Sequence, residues 1–428
     1  MPPLGLAYLA AALEREGHGC RVFDLGGSSM LDEVLAFDAD IVGLSATSAG
    51  FLRACDLAAK LRQRTGATLV LGGPHVSVAG IQVLEQTPFD FALAGECELV
   101  LPRLVRLVGE NATAELRLIP GLIYRDEGAV RANPVGEAIS DLDALATPSY
   151  RDLARYNYRQ YAIQSSRGCP YTCAFCLVPT IWGRRVRARS IDHVIDEMRF
   201  ASRNYGVREF AFVDDTLNYS IPRAKALCEA MLRANLGTRW LAWSMRADLL
   251  DEELVGLMRR SRCQSVGLGI ESADPAVLNT MRKGESIEEI ARGIDLLARA
   301  GIPTWGGFMI GNTGDTLRSC LRSLRFAWRS RLTTVAFQLA VPYPTTDLWQ
   351  HVEQHGRFLS RDYFRYDHHA SLPVFETDAL SASARRRVLR ACRAVSVVHN
   401  YTQRLRILPR LTLRHLCWGV ESTRGSSR

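Results

Sequence analysis

The sequence predicts an α/β protein: a flavodoxin/Rossmann-like N-terminal domain, then a partial (βα)6 barrel, then a mostly helical C-terminal region. Three observations lead there. Short apolar runs alternate with amphipathic stretches over residues 1–110, and the alternation restarts at residue 161 and continues to residue 345. The 428 residues are 47% hydrophobic and 23% charged, an ordinary globular balance in a chain too long for one core. The expected units are therefore 1–110, a connector at 111–160, the barrel at 161–345 and the helical region at 346–428.

In the first unit, "MPPLGLAYLAAALEREGH" reads as an amphipathic helix closed by Gly17. It lacks the basic start of a signal peptide, so a cytoplasmic location is expected. "CRVFDL" (Cys20–Leu25) reads as a strand and "ADIVGLSA" (Ala39–Ala46) as a buried parallel one, followed by a helix from Phe51 to Thr65. "ATLVLGG" (strand), "GIQVLEQ" (helix), "FDFALAG" (strand) and "ELVLPRLVRLV" (helix) complete the pattern of a parallel sheet covered on both faces. The loops "SATSAG", "GGPHVS" and "GECE" follow three of these strands. In such sheets ligands lie outside the strand carboxyl ends, and small loops offer backbone N–H groups there. Tight turns alone explain any one loop; three on one edge favour a binding edge.

The connector holds a hairpin-like "GLIYRDEGAVRAN". Strands are then expected at Tyr161–Ser166, Glu209–Asp214, Trp240–Met245, Ser265–Ile270, Thr304–Ile310 and Val335–Val341, with amphipathic helices between them. Functional residues of such barrels sit at the strand C-termini.

Composition excludes several classes. The net charge of +8 comes from arginines scattered among acids, as in "DEELVGLMRRSR", which reads as solvated helix faces rather than a nucleic-acid groove. No aromatic–basic interleaving offers a stacking platform. No apolar run approaches the 18 or so residues of a membrane span. Of eleven cysteines most stand alone in apolar contexts, the habit of a reducing compartment rather than a disulfide framework.

The exception is "SSRGCPYTCAFC", with Cys169, Cys173 and Cys176 just past the first barrel strand. Zinc normally takes four Cys or His ligands; the nearest downstream histidine, His193, lies on an expected helix, and there is no second CxxC pair. Three thiolates leave one position open, which suits a [4Fe–4S] cluster whose fourth iron binds something else.

The CxxxCxxC spacing in "CPYTCAFC", after the first strand of a six-unit barrel, resembles the radical SAM superfamily. "FVDDTLN", "WSMRAD", "GLGIES", "GGFMIGNTGDT" and "VPYP" resemble its later strand motifs in order, over residues 160–345. The resemblance implies that the three cysteines hold the cluster and that the open iron chelates S-adenosylmethionine (SAM), which is cleaved to a 5′-deoxyadenosyl radical. It implies SAM contacts for Phe175 (its backbone region, to adenine), Asp214 or Asp215 (the ammonium), Ser244 and Arg246 (carboxylate and ribose), Gly267 and Gly269 (close backbone approach) and Glu271 (ribose or ammonium). Surface acids are the plainer reading of the Asp pair, and a Glu271–Arg246 salt bridge that of Glu271.

The N-terminal unit resembles the cobalamin-binding domain of one large class within that superfamily, through "PPLGLAYLAAALEREGH", "DIVGLSATS", "LVLGGPHVS" and "FALAGECE". This implies cobalamin contacts at Ser45, Thr47, Gly72, Gly73, Gly95 and Glu96, with His75 near the lower ring face or, more plainly, pinning its loop. Class members carry a further strand before the "PPLG" helix, so either a central strand is missing from the sheet or the start lies upstream. The expected activity is methyl transfer to an unactivated carbon or phosphorus centre of a small molecule. The expected electron donor is a flavodoxin or ferredoxin, with no nucleic-acid partner. The alternatives are a cyclase-like radical enzyme, with cobalamin in another role or absent, and an iron–sulfur electron-transfer or structural module.

Overall fold

The computed structural model describes residues 1–24, 30–85, 87–362, 366 and 372–407. The N-terminal unit holds a five-stranded sheet of β1 (Ile41–Ser45), β2 (Thr68–Gly72), β3 (Phe91–Leu93), β4 (Leu122–Asp126) and β5 (Ala129–Ala132), in that order. The first three strands are parallel, and β4 and β5 close the sheet as an antiparallel hairpin. Helices α1 (Leu4–Arg15), α2 (Met30–Ala36), α3 (Phe51–Arg64), α4 (Pro74–Ala79) and α5 (Leu101–Gly109) accompany it. Strand residues alternate between faces. Leu69 and Leu71 pack with Leu61 of α3, and Val70 and Leu93 with Leu104 and Leu107 of α5, so both faces are covered.

Three expectations for this unit are corrected. Cys20–Asp24 forms no strand: Val22 N–H donates to the Asp152 carboxylate (2.9 Å) and Asp24 N–H to the Tyr156 hydroxyl (3.1 Å). Side chains of the connector thus take the donors that a ladder would use; Leu25 lies outside the described residues. The β1 strand is parallel but at the sheet edge and only partly buried. The helix expected at "GIQVLEQ" begins earlier, at Pro74, whose ring presets φ for a first helical turn, and continues as a 3-10 turn over Gly80–Val83. Helix α1 turns to the second unit, where Ala7, Ala10 and Val22 join the barrel core.

That second unit is a parallel sheet of six strands in sequential order: β6 (Tyr161–Ile163), β7 (Glu209–Phe212), β8 (Arg239–Met245), β9 (Cys263–Glu271), β10 (Thr304–Ile310) and β11 (Thr334–Leu339). Its covering helices are α6 (Ile191–Asn204), α7 (Ile221–Ala234), α8 (Glu252–Arg260), α9 (Ile287–Arg299) and α10 (Leu317–Arg329). Their starts follow from sequence. Ser190, Asp251, Ser286 and Thr316 each accept a backbone N–H of the first turn, and Ser286–Glu289 completes a capping box. Phe210, Phe212, Trp240, Val266, Phe308 and Val335 point to the helices and form one continuous core.

Helices α11 (Asp347–His355) and α12 (Ala382–Ile407) complete the described chain. The Asn400 side chain of α12 donates to and accepts from the Val335 backbone (3.1 and 2.8 Å), mimicking a further strand on the open β11 edge. The rest of the expected helical tail, 408–428, lies outside the described residues. No described helix is long and apolar enough to cross a membrane. Not every arginine is on a solvated face: Arg167, Arg187, Arg189, Arg246 and Arg385 are buried, each because a fixed oxygen partner receives it.

Candidate active site

Strand β6 stops at Ile163, three residues earlier than the apolar run predicts, because Asp214 captures Ser165 and Ser166. This buried carboxylate accepts the Ser165 N–H (3.1 Å) and the Ser165 and Ser166 hydroxyls (2.7 and 2.6 Å). Ser166–Arg167 then pairs with Arg187–Ala188 as a small antiparallel bridge. Gly168 has φ +91°, and a Cβ there would lie 2.6 Å from the Arg185 carbonyl, so only glycine makes this turn. Its N–H donates to Asp215 (3.0 Å). The chain thereby delivers Cys169, Cys173 and Cys176 to the carboxyl end of the sheet, where the "DD" of β7 meets them.

The cysteine loop is held along its length. Ala174 N–H donates to the Met281 carbonyl and Leu348 N–H to the Ala174 carbonyl, both at 2.9 Å. Cys176 N–H donates to the Cys173 carbonyl (3.1 Å), and the Cys176 sulfur accepts the Val178 N–H (3.4 Å). Cys169 Sγ lies 3.5 Å from the Thr216 hydroxyl. All three thiols are free of disulfides and half-buried. Burial pushes the Cys173 thiol up and the Cys176 thiol up to about 12. Among the described residues no three Cys, His, Asp or Glu converge on one ion.

The other expected residues divide. Asp215, Ser244 and Glu271 line the mouth. The Asp215 carboxyl is pushed up to about 6, chiefly by burial and then by neighbouring Asp214. Ser244 donates its hydroxyl to the Asp215 carbonyl (2.7 Å) and keeps its acceptor lone pairs. Glu271 lies just past a bulge and has φ +67°, a conformation that costs a non-glycine residue about 1–3 kcal/mol. Burial raises its carboxyl and the nearby Lys283 ammonium opposes the rise. Gly269 leaves room there: a Cβ would stand 2.6 Å from the Glu271 carboxylate.

Four are corrected. Asp214 is consumed by Ser165 and Ser166. Arg246 is bound bidentately by Asp248 (3.0 and 2.9 Å), donates to the Lys283 and Gly284 carbonyls (2.8 and 2.9 Å) and stacks on Tyr171 at 3.8 Å. Its fork is taken by Asp248, and among the described residues it forms no ion pair with Glu271. Gly267 faces its neighbouring strand, where a Cβ would lie 2.3 Å from the Trp243 carbonyl. The Phe175 ring wedges between the barrel core and the cluster around Trp349.

The sequence reading missed Lys283 and Glu285. Both are buried; Lys283 Nζ stands 3.2 Å from Glu285, and the charges of Glu285, Glu271 and Cys173 hold its ammonium in the charged form. "MRKGES" looks like a surface turn in sequence, and nothing local marks it as buried.

At the N-terminal sheet, Ser45 and Thr47 are exposed and Gly72 is half-buried at the carboxyl edge. Gly73, with φ +97°, closes against Ala46, whose backbone O and N would lie 2.7 and 2.8 Å from a Cβ. Gly95 (φ +83°) donates its N–H to the Ser77 hydroxyl (3.0 Å). Two of the expected cobalamin residues are held by protein partners. His75 is buried, 3.0 Å from the Ser48 hydroxyl and stacked on Phe51, so it pins its loop; its pKa falls to about 4 through burial. Glu96 is consumed by Arg167, Arg187 and the Ile139 N–H.

Family models match at two places: the radical SAM superfamily over residues 163–327 and the B12 binding domain over residues 1–105. An uncharacterised methyltransferase of Pyrococcus horikoshii is 31% identical over 377 residues, covering 85% of this chain and 81% of that one. The anaerobic magnesium-protoporphyrin IX monomethyl ester cyclase of Rubrivivax gelatinosus is 30% identical, covering 82% of this chain and 66% of the cyclase. The radical SAM methyltransferase TsrM of Kitasatospora setae, solved with cobalamin and a [4Fe–4S] cluster bound, superposes with a TM-score of 0.75 at 20% identity, over 93% of this chain and 86% of that one. That likeness is one of fold.

Proposed function

The chain belongs to the radical SAM superfamily, in the branch that carries a B12 binding domain, and on that premise we propose that it transfers a methyl group to an unactivated carbon or phosphorus centre of a small molecule. The observation that carries this reading is the cysteine loop: three unpaired thiols at the carboxyl mouth of a six-stranded parallel sheet, facing Asp215, Glu271 and Lys283. Cys169, Cys173 and Cys176 would hold the cluster, with a flavodoxin or ferredoxin as reductant. When bound, cluster and SAM supply the 5′-deoxyadenosyl radical, and cobalamin supplies the methyl donor.

The chain's own residues prepare the place. Asp214 and Asp215 fix both ends of the turn before Cys169. The Asp215 and Glu271 carboxylates are acceptors for an ammonium or ribose hydroxyls, and Lys283 is a fixed cation beside Cys173.

The test is anaerobic reconstitution, with about four irons expected per chain for a three-cysteine cluster site. Incubation with SAM carrying a deuterated methyl group should give S-adenosylhomocysteine and 5′-deoxyadenosine together. Similarity to the cyclase supports a second reading, in which 5′-deoxyadenosine forms without S-adenosylhomocysteine. Absence of both products would sink the two readings at once.

A further inference from the structure

Between the two cofactor-binding loops lies a buried charge cluster that the reaction does not call for. Arg167 stands two residues before Cys169. Its Nε donates to Gln164 (3.1 Å), one terminal nitrogen to Glu96 (2.9 Å) and the other to Glu98 (2.6 Å). Arg187, on the adjoining bridge strand, reaches both Glu96 oxygens (2.9 and 2.7 Å) and the Ile139 carbonyl (2.6 Å). The four side chains are 3–9% exposed. The Arg167 guanidinium lies near the Tyr8 and Trp182 rings, 5.2 and 4.9 Å from their centroids.

Glu96 and Glu98 belong to "GECE", the loop after β3 in the B12 binding domain. Arg167 belongs to the radical SAM domain. Burying four charges is poor stabilisation, because apolar residues of equal volume would do as well or better. What two forked guanidiniums on fixed carboxylates add is geometry. There is no slack to absorb it: Gly168, the single residue between Arg167 and Cys169, is itself bound by Asp215 and cannot accept a Cβ.

We infer that Arg167 is a positioning residue that, held by Glu96 and Glu98, ties the cysteine loop to the loop after β3 so that the two cofactor loops keep one fixed separation. The inference rests on the proposed function only for the identity of the group that the cysteines hold. It goes beyond it in giving the B12 binding domain a part in shaping the cluster site before cobalamin binds.

The test uses the full chain, reconstituted anaerobically without cobalamin. The variants are Glu98→Gln, Glu96→Gln with Glu98→Gln, and Arg167→Met. Asp90→Asn serves as control, since it removes the charge of an ion pair with Arg62 in the same domain, away from the cysteine loop. Iron content should stay near that of the unsubstituted protein. Iron release to bathophenanthroline should quicken about tenfold or more, as when groups behind metal ligands are lost, and the SAM-induced change in the reduced cluster's electron paramagnetic resonance spectrum should shrink. Asp90→Asn should leave both as they were.

Release and spectra like those of the unsubstituted protein, or shifted equally by Asp90→Asn, would overturn the inference. An unsubstituted protein that takes up no iron counts against the proposed function instead. Hydrogen exchange of the 168–176 amides then decides: faster exchange in Glu98→Gln but not in Asp90→Asn supports the tie, and unchanged exchange refutes it.

Discussion

The cysteine loop and the loops of the N-terminal sheet carry similar sequence signals, small residues and glycines after buried parallel strands, yet they use their side chains differently. At the barrel mouth, Asp215, Ser244 and Glu271 stay partly exposed and keep acceptor capacity. At the N-terminal edge, His75 and the Glu96 side chain are buried and engaged, while Ser45 and Thr47 remain exposed and small. A polar residue in a loop at the functional edge is a ligand candidate only when folding has not already assigned it a partner. Unclaimed polarity distinguishes a site from a scaffold.

The largest effect should separate thiols of the two regions. Changing Cys169, Cys173 and Cys176 together to Ala should abolish iron uptake, whereas Cys97→Ala in the N-terminal unit should retain it; Cys97 is a half-buried thiol pushed up to about 12 by desolvation and bonded to the Gly95 carbonyl. Iron analysis after reconstitution decides, and full retention in the triple variant would remove the cluster from this loop.

Arg246→Ala tests whether the barrel mouth also contains scaffold. It strips a part-buried carboxylate and two carbonyls of their donor, so stability should fall by about 3–5 kcal/mol in denaturant titration. SAM affinity per folded molecule should change by less than about threefold, since a lost charge-assisted contact would cost tenfold or more. Unchanged stability with a tenfold loss of affinity would return Arg246 to the ligand.

Gly73→Ala probes the N-terminal edge. At φ +97° and with Ala46 backbone atoms closer than 3 Å to the new Cβ, the change should cost about 1–3 kcal/mol, read as an earlier melting transition with iron uptake intact. No shift would mean that this loop is free to open.

The smallest effect is one of pH. The folded pKa of His75, about 4, lies below its unfolded value of about 6.5, so between them the unfolded chain binds more protons. This contribution to stability is full above pH 6.5 and is lost as pH falls towards 4. His75→Gln should flatten that part of the stability profile; an unaltered profile would show that His75 does not sit neutral and buried.

Much of this was legible because it is local. Alternating apolar runs specify strands and helices through their own periodicity. Ser190, Asp251 and Ser286 announce helix starts because a cap bonds within three residues. Three cysteines within eight residues stay neighbours wherever the loop goes. The sequence by itself therefore determined two α/β units, their order, and a thiol cluster after the first barrel strand.

Tertiary structure alone decided which charged residues are free. Glu96 meets Arg167 and Arg187 across 71 and 91 positions, and Lys283 is buried beside Glu271 and Cys173 by strands far away in the chain. Cys20–Asp24 has the composition of a strand, but Asp152 and Tyr156 take its donors from 130 and 132 residues away. The physical reason is the same each time. Helix and strand periods are written in neighbouring residues, whereas the partner that satisfies a buried charge or an unpaired N–H arrives only when distant segments pack.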